Sequence, residues 1–254
     1  MRRPVVCALL LLAAACVGVE RPEPTPDARP TAWTYVALGD SLADAGERGY
    51  VPAFAGMLEE SLGTDVRLLN LGVSGWTTRD LLGALRSDDQ LRDALRSADV
   101  VTFNIGGNDL LRARAIFGTA RCGGTACLAE AVAGFRTNWD EILDEILLLR
   151  DPRDVMVRTL DIYNPYAAQQ VRDGTFDTLA PFLEEANERI RTSAEVRGLR
   201  WARVHEAFNG PGGRSDPVAQ GLIADDGLHP SDTGHRLIAE RLMALGTRPL
   251  VAPR

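Results

Sequence analysis

The feature that most constrains the fold of this chain is a regular alternation, from Trp33 onward, of short apolar runs with longer amphipathic segments. The apolar runs are rich in Val, Leu and Thr and predict β-strands at residues 34–38, 66–71, 100–105, 155–162 and 200–204. Apolar residues three and four positions apart predict helices at residues 51–62, 77–96 (in two pieces), 128–149, 177–197 and 233–245. Strands separated by helices form parallel βαβ units. We therefore predict an α/β fold with a doubly wound parallel five-stranded sheet and helices on both faces.

Polar clusters follow the first three predicted strands, and a fourth cluster precedes the last predicted helix. They are Gly39-Asp40-Ser41-Leu42, Asn70-Leu71-Gly72-Val73-Ser74-Gly75, Gly106-Gly107-Asn108-Asp109 and Asp225-Asp226-Gly227-Leu228-His229-Pro230. Doubly wound sheets bind ligands at the carboxyl ends of their strands, where these clusters are expected to meet. Acyl transfer needs a serine, a base within hydrogen-bond reach, a carboxylate that orients the base, and donors for an oxyanion. The clusters contain each of these groups and therefore predict acyl-transfer chemistry.

In this order the four clusters resemble the sequence blocks of the SGNH/GDSL hydrolase family, and the resemblance spans residues 35–245. It implies a flavodoxin-like SGNH hydrolase fold and a serine esterase activity. It makes Ser41 the nucleophile, His229 its base and Asp226 the triad acid. It also implies an oxyanion hole formed by the backbone N–H of Ser41, by Gly75 and by the Asn108 side chain. No residue pattern suggests a metal ion or an organic cofactor, and we expect none.

Each cluster also has a structural interpretation. Asp40 or Ser41 could cap a strand-to-helix turn, and the Asp226-Gly227 pair is common in turns. Gly75 could serve a turn as well. Each interpretation is plausible for one cluster, but all four would have to coincide in the order of the family, which favours the catalytic reading.

Other polar residues compete for the same roles or have roles outside the site. Asp225 is an alternative to Asp226 as the acid, although the spacing to the histidine favours Asp226. Ser74 is a rival nucleophile, but it lacks the Gly-x-Ser-x-Gly spacing of a nucleophile elbow. His205 lies at the end of the fifth predicted strand, where we favour a structural role. His235 lies at the start of the last predicted helix, where a packing or surface role is expected.

The first residues have the composition of an export signal. Arg2 and Arg3 precede an apolar run over residues 4–15, which is too short to span a bilayer. We predict a signal peptide over residues 1–15 and a lipid-modified Cys16 as the first mature residue. The alternative is ordinary secretion, with cleavage at the same alanine-rich site.

The remainder divides into a Pro-rich tether over residues 16–31 and a hydrolase domain over residues 32–254. Two further cysteines, Cys122 and Cys127, enclose a short Gly-rich loop that would let their sulfurs meet. An oxidising compartment would make them a disulfide, in agreement with an exported protein of the cell envelope or the medium. Free thiols are the alternative.

A formal net charge of −7 repels phosphate backbones and anionic lipid, so nucleic-acid binding is not expected. Contact with a membrane is expected only through the N-terminal lipid anchor, and the chain is expected to be a monomer. Its partner would be a small-molecule, lipid or glycan acyl ester.

Two segments, residues 110–127 and 164–176, are expected to overhang the site as loops. Together with their flanks they supply apolar residues for a modest pocket, namely Ile116, Phe117, Tyr163, Pro165, Tyr166 and Phe176. Esters of short to medium acyl chain are the expected substrates. An acyltransferase, a polysaccharide deacetylase and a non-catalytic surface-tethered binding module remain alternatives.

Overall fold

The computed structural model describes residues 32–250, whose framework is one parallel sheet. Its strands are β1 (Ala32–Gly39), β2 (Asp65–Gly72), β3 (Val100–Asn104), β4 (Met156–Leu160) and β5 (Arg200–Ala202). They lie in the order β2-β1-β3-β4-β5. This strand order and the parallel pairing confirm the predicted doubly wound five-stranded sheet. At the carboxyl edge, Gly39 pairs with both Gly72 and Asn104, so the loops after the first three strands begin side by side.

Helices cover both faces of the sheet. They are α1 (Tyr50–Leu62), α2 (Thr78–Ser87), α3 (Asp89–Ser97), α4 (Gly107–Ile116), α5 (Ala126–Leu149), α6 (Ala167–Asp173), α7 (Phe176–Val196), α8 (Val204–Asn209) and α9 (Asp232–Met243). Buried side chains of α2, α3, α5 and α7 form one core with Val36 and Leu38 of β1. Those of α1, α8 and α9 form a second core with Tyr35 and Ala37. This two-residue alternation along one strand is what places hydrophobic layers on both sides of the sheet.

Three short helices lie where loops or strand had been predicted. The two overhanging segments contain α4 and α6, and the fifth strand ends at Ala202 instead of at residue 204. His205 therefore lies in α8, which corrects its predicted place at a strand end. The reason for the early strand end is local, because the Asp161 carboxylate accepts the His205 backbone N–H at 2.7 Å and starts a helix there.

The segment between α4 and α5 contains a disulfide between Cys122 and Cys127, in agreement with the predicted pairing. The predicted signal peptide over residues 1–15, Cys16 and the tether over residues 16–31 lie outside the described residues. Within residues 32–250, no helix has the length and apolar character needed to cross a bilayer.

Candidate active site

Ser41 lies in a tight turn directly after β1. Gly39 ends that strand with φ of +146°, and a Cβ at this position would collide with the backbone carbonyl of Asn104. Only glycine fits this close approach, so it brings the turn against β3. The buried carboxylate of Asp40 then accepts hydrogen bonds from the Leu42 backbone N–H at 3.0 Å and from Asn104 Nδ2 at 2.7 Å. The turn is thus fixed from both sides of Ser41.

The structure brings Ser41, His229 and Asp226 into one hydrogen-bonded row. Ser41 Oγ lies 2.9 Å from His229 Nε2, and His229 Nδ1 lies 2.6 Å from Asp226 Oδ2. The hydrogen bond from His229, together with backbone N–H donors, lowers the pKa of Asp226 to about 2. An ionised carboxylate can only accept, so Nδ1 carries the proton and Nε2 is free to accept the Ser41 hydroxyl.

Asp226 also determines the shape of the loop on which it lies. Its Oδ1 accepts the backbone N–H groups of Leu228 and His229, each at 2.9 Å. Both aspartates of the loop are exposed, but the Asp225 side chain forms no hydrogen bond with any described residue. Of the two predicted candidates for the acid, Asp226 is the one next to the imidazole.

The histidine loop is anchored to the rest of the domain by a contact that the sequence had not indicated. The hydroxyl of the half-buried Tyr163 donates to the Leu228 carbonyl at 2.8 Å, and its ring stacks on Phe208 of α8 with centroids 4.7 Å apart. Within the loop, the Ala224 N–H donates to the His229 carbonyl at 2.9 Å. These contacts restrict movement of the imidazole away from Ser41.

The predicted oxyanion donors lie on two segments that are joined to each other. Asn108 is in the first turn of α4, and its Nδ2 donates to the Trp76 carbonyl at 2.8 Å. Gly75, which precedes Trp76 in the chain, has φ of +83°. The Gly75 carbonyl accepts a hydrogen bond from Arg112 Nη2 at 3.0 Å. Asn108 and Ser41 both line the active-site cavity, whereas Gly75 does not line it. Asn108 and Arg112, one helical turn apart, thus hold the Gly75 segment beside the site.

Asp109 extends this connection to the start of α2. Its two carboxylate oxygens accept the backbone N–H of Thr78 at 2.9 Å and the Thr78 hydroxyl at 2.6 Å. Burial raises the pKa of Asp109. The sequence had placed Asp109 in a cluster without a role, and the structure shows it joining the third cluster to the helix that follows the second.

Asp40 is a second acidic residue whose environment was not anticipated. Burial raises its pKa to about 6, partly offset by hydrogen bonds from the Leu42 backbone and from Asn104. The Asn104 side chain is itself oriented by Tyr50, whose hydroxyl donates to Asn104 Oδ1 at 2.8 Å. A buried row of polar groups therefore lies directly beneath Ser41.

The rival residues named above do not lie in the row. Ser74 Oγ donates to Asp44 Oδ2 at 2.8 Å. His235 is buried and its Nδ1 accepts the Tyr50 backbone N–H at 3.2 Å, while burial lowers its pKa to about 4. His205 lines a different surface pocket. In residues 32–250, no group of three or more His, Cys, Asp or Glu side chains is arranged to hold a metal ion.

A largely apolar cavity of about 140 Å³ opens beside Ser41 and His229. One wall is the face of α4 that carries Gly107, Leu110, Leu111 and Arg114, and the other includes residues 160–166 and the start of α7. Of the predicted pocket residues, Tyr163, Pro165 and Tyr166 line it, whereas Ile116, Phe117 and Phe176 do not. A cavity of roughly 150 Å³ lined by Leu, Ile and Phe is large enough to hold benzene, so this one accommodates a group of similar size.

Comparison with known proteins finds a matching family, related sequences and solved structures with a similar fold. The model of the GDSL-like lipase/acylhydrolase family matches residues 37–237. The spore germination lipase LipC of Bacillus licheniformis is 26% identical over 219 residues, covering 84% of this chain and 95% of LipC. The uncharacterised protein YpmR of Bacillus subtilis is 28% identical, with 94% and 92% covered.

Among solved structures, the lipase Lip_vut3 from a goat rumen metagenome superposes with a TM-score of 0.71 at 24% identity, covering 84% of this chain and 97% of that one. A single-residue variant of Axe2, an acetyl xylan esterase from Geobacillus stearothermophilus, gives a TM-score of 0.59 at 20% identity, with 86% and 97% covered.

Proposed function

Because the chain belongs to the GDSL-like lipase/acylhydrolase family, and is thus a carboxylic ester hydrolase, we propose that it is a serine esterase in which Ser41, His229 and Asp226 form the catalytic triad. The observation that carries this proposal is the row of contacts from Ser41 Oγ to His229 Nε2 at 2.9 Å and from His229 Nδ1 to Asp226 Oδ2 at 2.6 Å. The row opens into the apolar cavity, which supports substrates of short to medium acyl chain.

In the proposed mechanism, Ser41 Oγ attacks the ester carbonyl carbon as His229 Nε2 takes the hydroxyl proton. The imidazolium is stabilised by Asp226. The tetrahedral intermediate collapses when His229 returns the proton to the alcohol oxygen, so that the free alcohol departs and an acyl group remains on Ser41. His229 then deprotonates a water molecule, which attacks the acyl-serine. The second tetrahedral intermediate collapses as His229 returns that proton to Ser41 Oγ, and the carboxylic acid is released. No step requires a metal ion or an organic cofactor.

The oxyanion of both intermediates would accept hydrogen bonds from the backbone N–H groups of Ser41 and Gly75 and from Asn108 Nδ2. One N–H of the Asn108 amide is occupied by the Trp76 carbonyl at 2.8 Å, which fixes the rotation of the amide group. The second N–H is then available without a change of rotamer. A donor held in place before reaction stabilises the intermediate without a reorganisation cost.

The proposal is tested with a series of p-nitrophenyl esters from acetate to palmitate, using the wild type, Ser41→Ala and Ser74→Ala as a matched control. We expect the highest kcat/KM between butyrate and octanoate, complete loss of activity in Ser41→Ala, and wild-type rates in Ser74→Ala. An organophosphonate should add one label, at Ser41. Activity in Ser41→Ala, or a label on Ser74, would refute the nucleophile assignment.

The same assays separate the alternatives. Faster acyl transfer to an added alcohol or sugar than to water would identify an acyltransferase. Release of acetate from an acetylated polysaccharide, without activity on butyrate or longer esters, would identify a deacetylase. Binding of an ester without turnover would identify a binding module.

We also propose that the protein is exported as a lipoprotein, with residues 1–15 removed, Cys16 acylated and residues 16–31 acting as a tether to the domain at residues 32–254. The Cys122–Cys127 disulfide supports an oxidising compartment. Mass spectrometry of the membrane fraction should find an acylated Cys16 at the N-terminus. An unmodified N-terminus in the medium would instead indicate plain secretion, and gel filtration would test the expected monomer.

A further inference from the structure

Arg114 lies at the far end of the active-site cavity. It shares one face of α4 with Gly107, Leu110 and Leu111, all of which line the cavity, at the spacing of successive helical turns. Gly107 begins the helix beside Ser41. Arg114 is seven residues further along, which at 1.5 Å per residue is about 10 Å along the helix axis. The cavity therefore runs from Ser41, past two leucines, to a cationic side chain.

The guanidinium of Arg114 has no anionic partner within ion-pair distance. Its carbon lies 3.8 Å from the centre of the Tyr166 ring, on the opposite wall of the cavity. Within residues 32–250, it forms no ion pair or hydrogen bond with a side chain or carbonyl. The half-buried Arg197 differs in this respect, since it pairs with Asp144 at 2.7 Å. Stacking occupies the faces of the Arg114 guanidinium and leaves its N–H groups, which lie in the plane, available to a ligand.

Gln170 adds a second group with available donors. Its side chain is buried, with 4% of its surface exposed, and it lines the same cavity. Gln170 Oε1 accepts Asn164 Nδ2 at 2.8 Å, but no described residue accepts a hydrogen bond from Gln170 Nε2. A side-chain amide has two N–H donors, so those of Gln170 Nε2 are available to a ligand in the cavity that this residue lines.

The carboxylates around the cavity do not neutralise Arg114. Asp40 and Asp161 line the wall, but Asp40 lies beneath Ser41 at the opposite end, and Asp161 Oδ1 accepts the His205 N–H at 2.7 Å. Asp173, at the end of α6, has its pKa lowered by hydrogen bonds from Thr175 and, to a smaller extent, by the charge of Arg114. All three carboxylates lie beyond ion-pair distance of the guanidinium. Among the described residues, the Arg114 guanidinium at the far end of the cavity therefore has no carboxylate paired with it.

We propose that Arg114, together with Gln170, binds an anionic group of the substrate, a carboxylate or a phosphate, on the part of the ester that enters the cavity. The substrate class is then an amphiphilic ester whose reacting carbonyl and anion are separated by an apolar spacer of up to about 10 Å, the rise of α4 between Gly107 and Arg114. This inference rests on the proposed function, because it takes Ser41 as the reacting end of the cavity. A planar guanidinium with adjacent N–H groups suits both oxyanions, which are bound in a bidentate manner.

The test compares three substrates of similar chain length that differ in their terminal group, together with one shorter substrate. They are p-nitrophenyl octanoate, the mono-p-nitrophenyl ester of suberate, and its phosphonate-terminated analogue, with the succinate monoester as a spacer too short to reach. The wild type should show a lower KM for suberate or phosphonate than for octanoate and no such advantage for succinate. The difference between the suberate and phosphonate values identifies which anion is preferred.

Two variants test whether a preference for anionic esters comes from Arg114. Arg114→Gln should raise the ratio of the KM for the preferred anionic ester to the KM for octanoate about tenfold, the usual scale for loss of a charged hydrogen bond at a partly exposed site. Arg121→Gln, a change of an exposed arginine outside the cavity, should alter neither. The advantage should also fall at high salt, since the contact is ionic.

The outcomes separate the inference from the function on which it rests. Hydrolysis of octanoate with no gain from either anion, or equal losses on neutral and anionic esters in Arg114→Gln, overturns the anion site and leaves the esterase proposal intact. Failure of the wild type on every ester, or activity that survives Ser41→Ala, refutes the proposed function itself.

Discussion

Replacing Asp226 with Asn changes one atom at the end of the hydrogen-bonded row and keeps the loop around it. The Asn oxygen can still accept the backbone N–H groups of Leu228 and His229, which Oδ1 holds at 2.9 Å. An amide NH₂ then occupies the place of Oδ2 and faces His229 Nδ1. Because that NH₂ can only donate, Nδ1 must become the acceptor and the ring proton moves to Nε2. A protonated Nε2 cannot take the Ser41 proton.

The size of the effect follows from the exposure of the carboxylate. In a serine protease whose triad aspartate is buried, the same change lowers kcat by roughly 10⁴ through the wrong tautomer. The Asp226 side chain is 49% exposed, so water can partly replace its contacts and part of the population can retain the active tautomer. We expect kcat to fall by about 10³ with KM within about twofold, since the change affects the reacting groups and not the cavity.

The assay is kcat for p-nitrophenyl butyrate as a function of pH. The pKa of Asp226 is lowered to about 2, so in the folded protein its negative charge is present above that value and lost only below it. Protonation of Asp226 should therefore not contribute to any loss of wild-type activity above about pH 3, and the kcat of Asp226→Asn should be low throughout that range.

The matched control is Asp225→Asn, which changes the same charge one residue away and should leave kcat within about twofold. Nitrogen NMR of labelled histidine would report the tautomer of His229 directly, and thermal unfolding would check that both variants are folded. The assignment of the acid is wrong if Asp225→Asn is the more damaging change. It is also wrong if Asp226→Asn keeps more than about a tenth of the wild-type kcat.

Three further changes test separate parts of the structure. Asn108→Ala should lower kcat by roughly 10² to 10³ with little change in KM, as expected for loss of one oxyanion donor, and a change in KM alone would mean that Asn108 contacts the substrate in its ground state. Gly106→Ala should lower the free energy of unfolding in urea by about 3 kcal/mol, because φ is +107° and the added Cβ collides with the Phe135 ring; wild-type stability would contradict this. The double change of Cys122 and Cys127 to Ser should lower that free energy by about 2 kcal/mol, the value for so short a loop, without altering kcat, and a loss of kcat would show that the loop supports the site.

The sequence predicted those parts of the fold, such as the strands, in which burial of the sheet requires a run of apolar residues. Val36 and Leu38 face one core and Tyr35 and Ala37 the other, so β1 is apolar throughout and easily identified. Ser41, Gly75 and Asn108 follow β1, β2 and β3 closely in the chain, and the common edge of the sheet brings these segments together. Topology therefore explains why a local pattern located a site made of distant residues.

The parts that the sequence did not predict depend on contacts between distant segments. The α4 helix was missed because Ala113 is its one buried residue, so its sequence lacks the apolar stripe of a helix packed on a core. The α8 helix was missed because its first turn is stabilised by a hydrogen bond to the carboxylate of Asp161, which is 44 residues away from His205 in the chain. The hydrogen bond from Tyr163 to the histidine loop is made to the backbone carbonyl of Leu228, and a sequence pattern does not predict contacts to a backbone carbonyl.

Ser41 and His229 are separated by 188 positions in the chain, with the first in the loop after β1 and the second in the loop before α9. During synthesis, the serine therefore leaves the ribosome long before its histidine exists, and the sheet that joins them is complete only when β5 has been added. With the proposed roles of Ser41 and His229, a nascent or truncated chain that ends before residue 229 would not hydrolyse esters. Hydrolytic activity would then arise only after the histidine loop has been synthesised and the domain has folded around it.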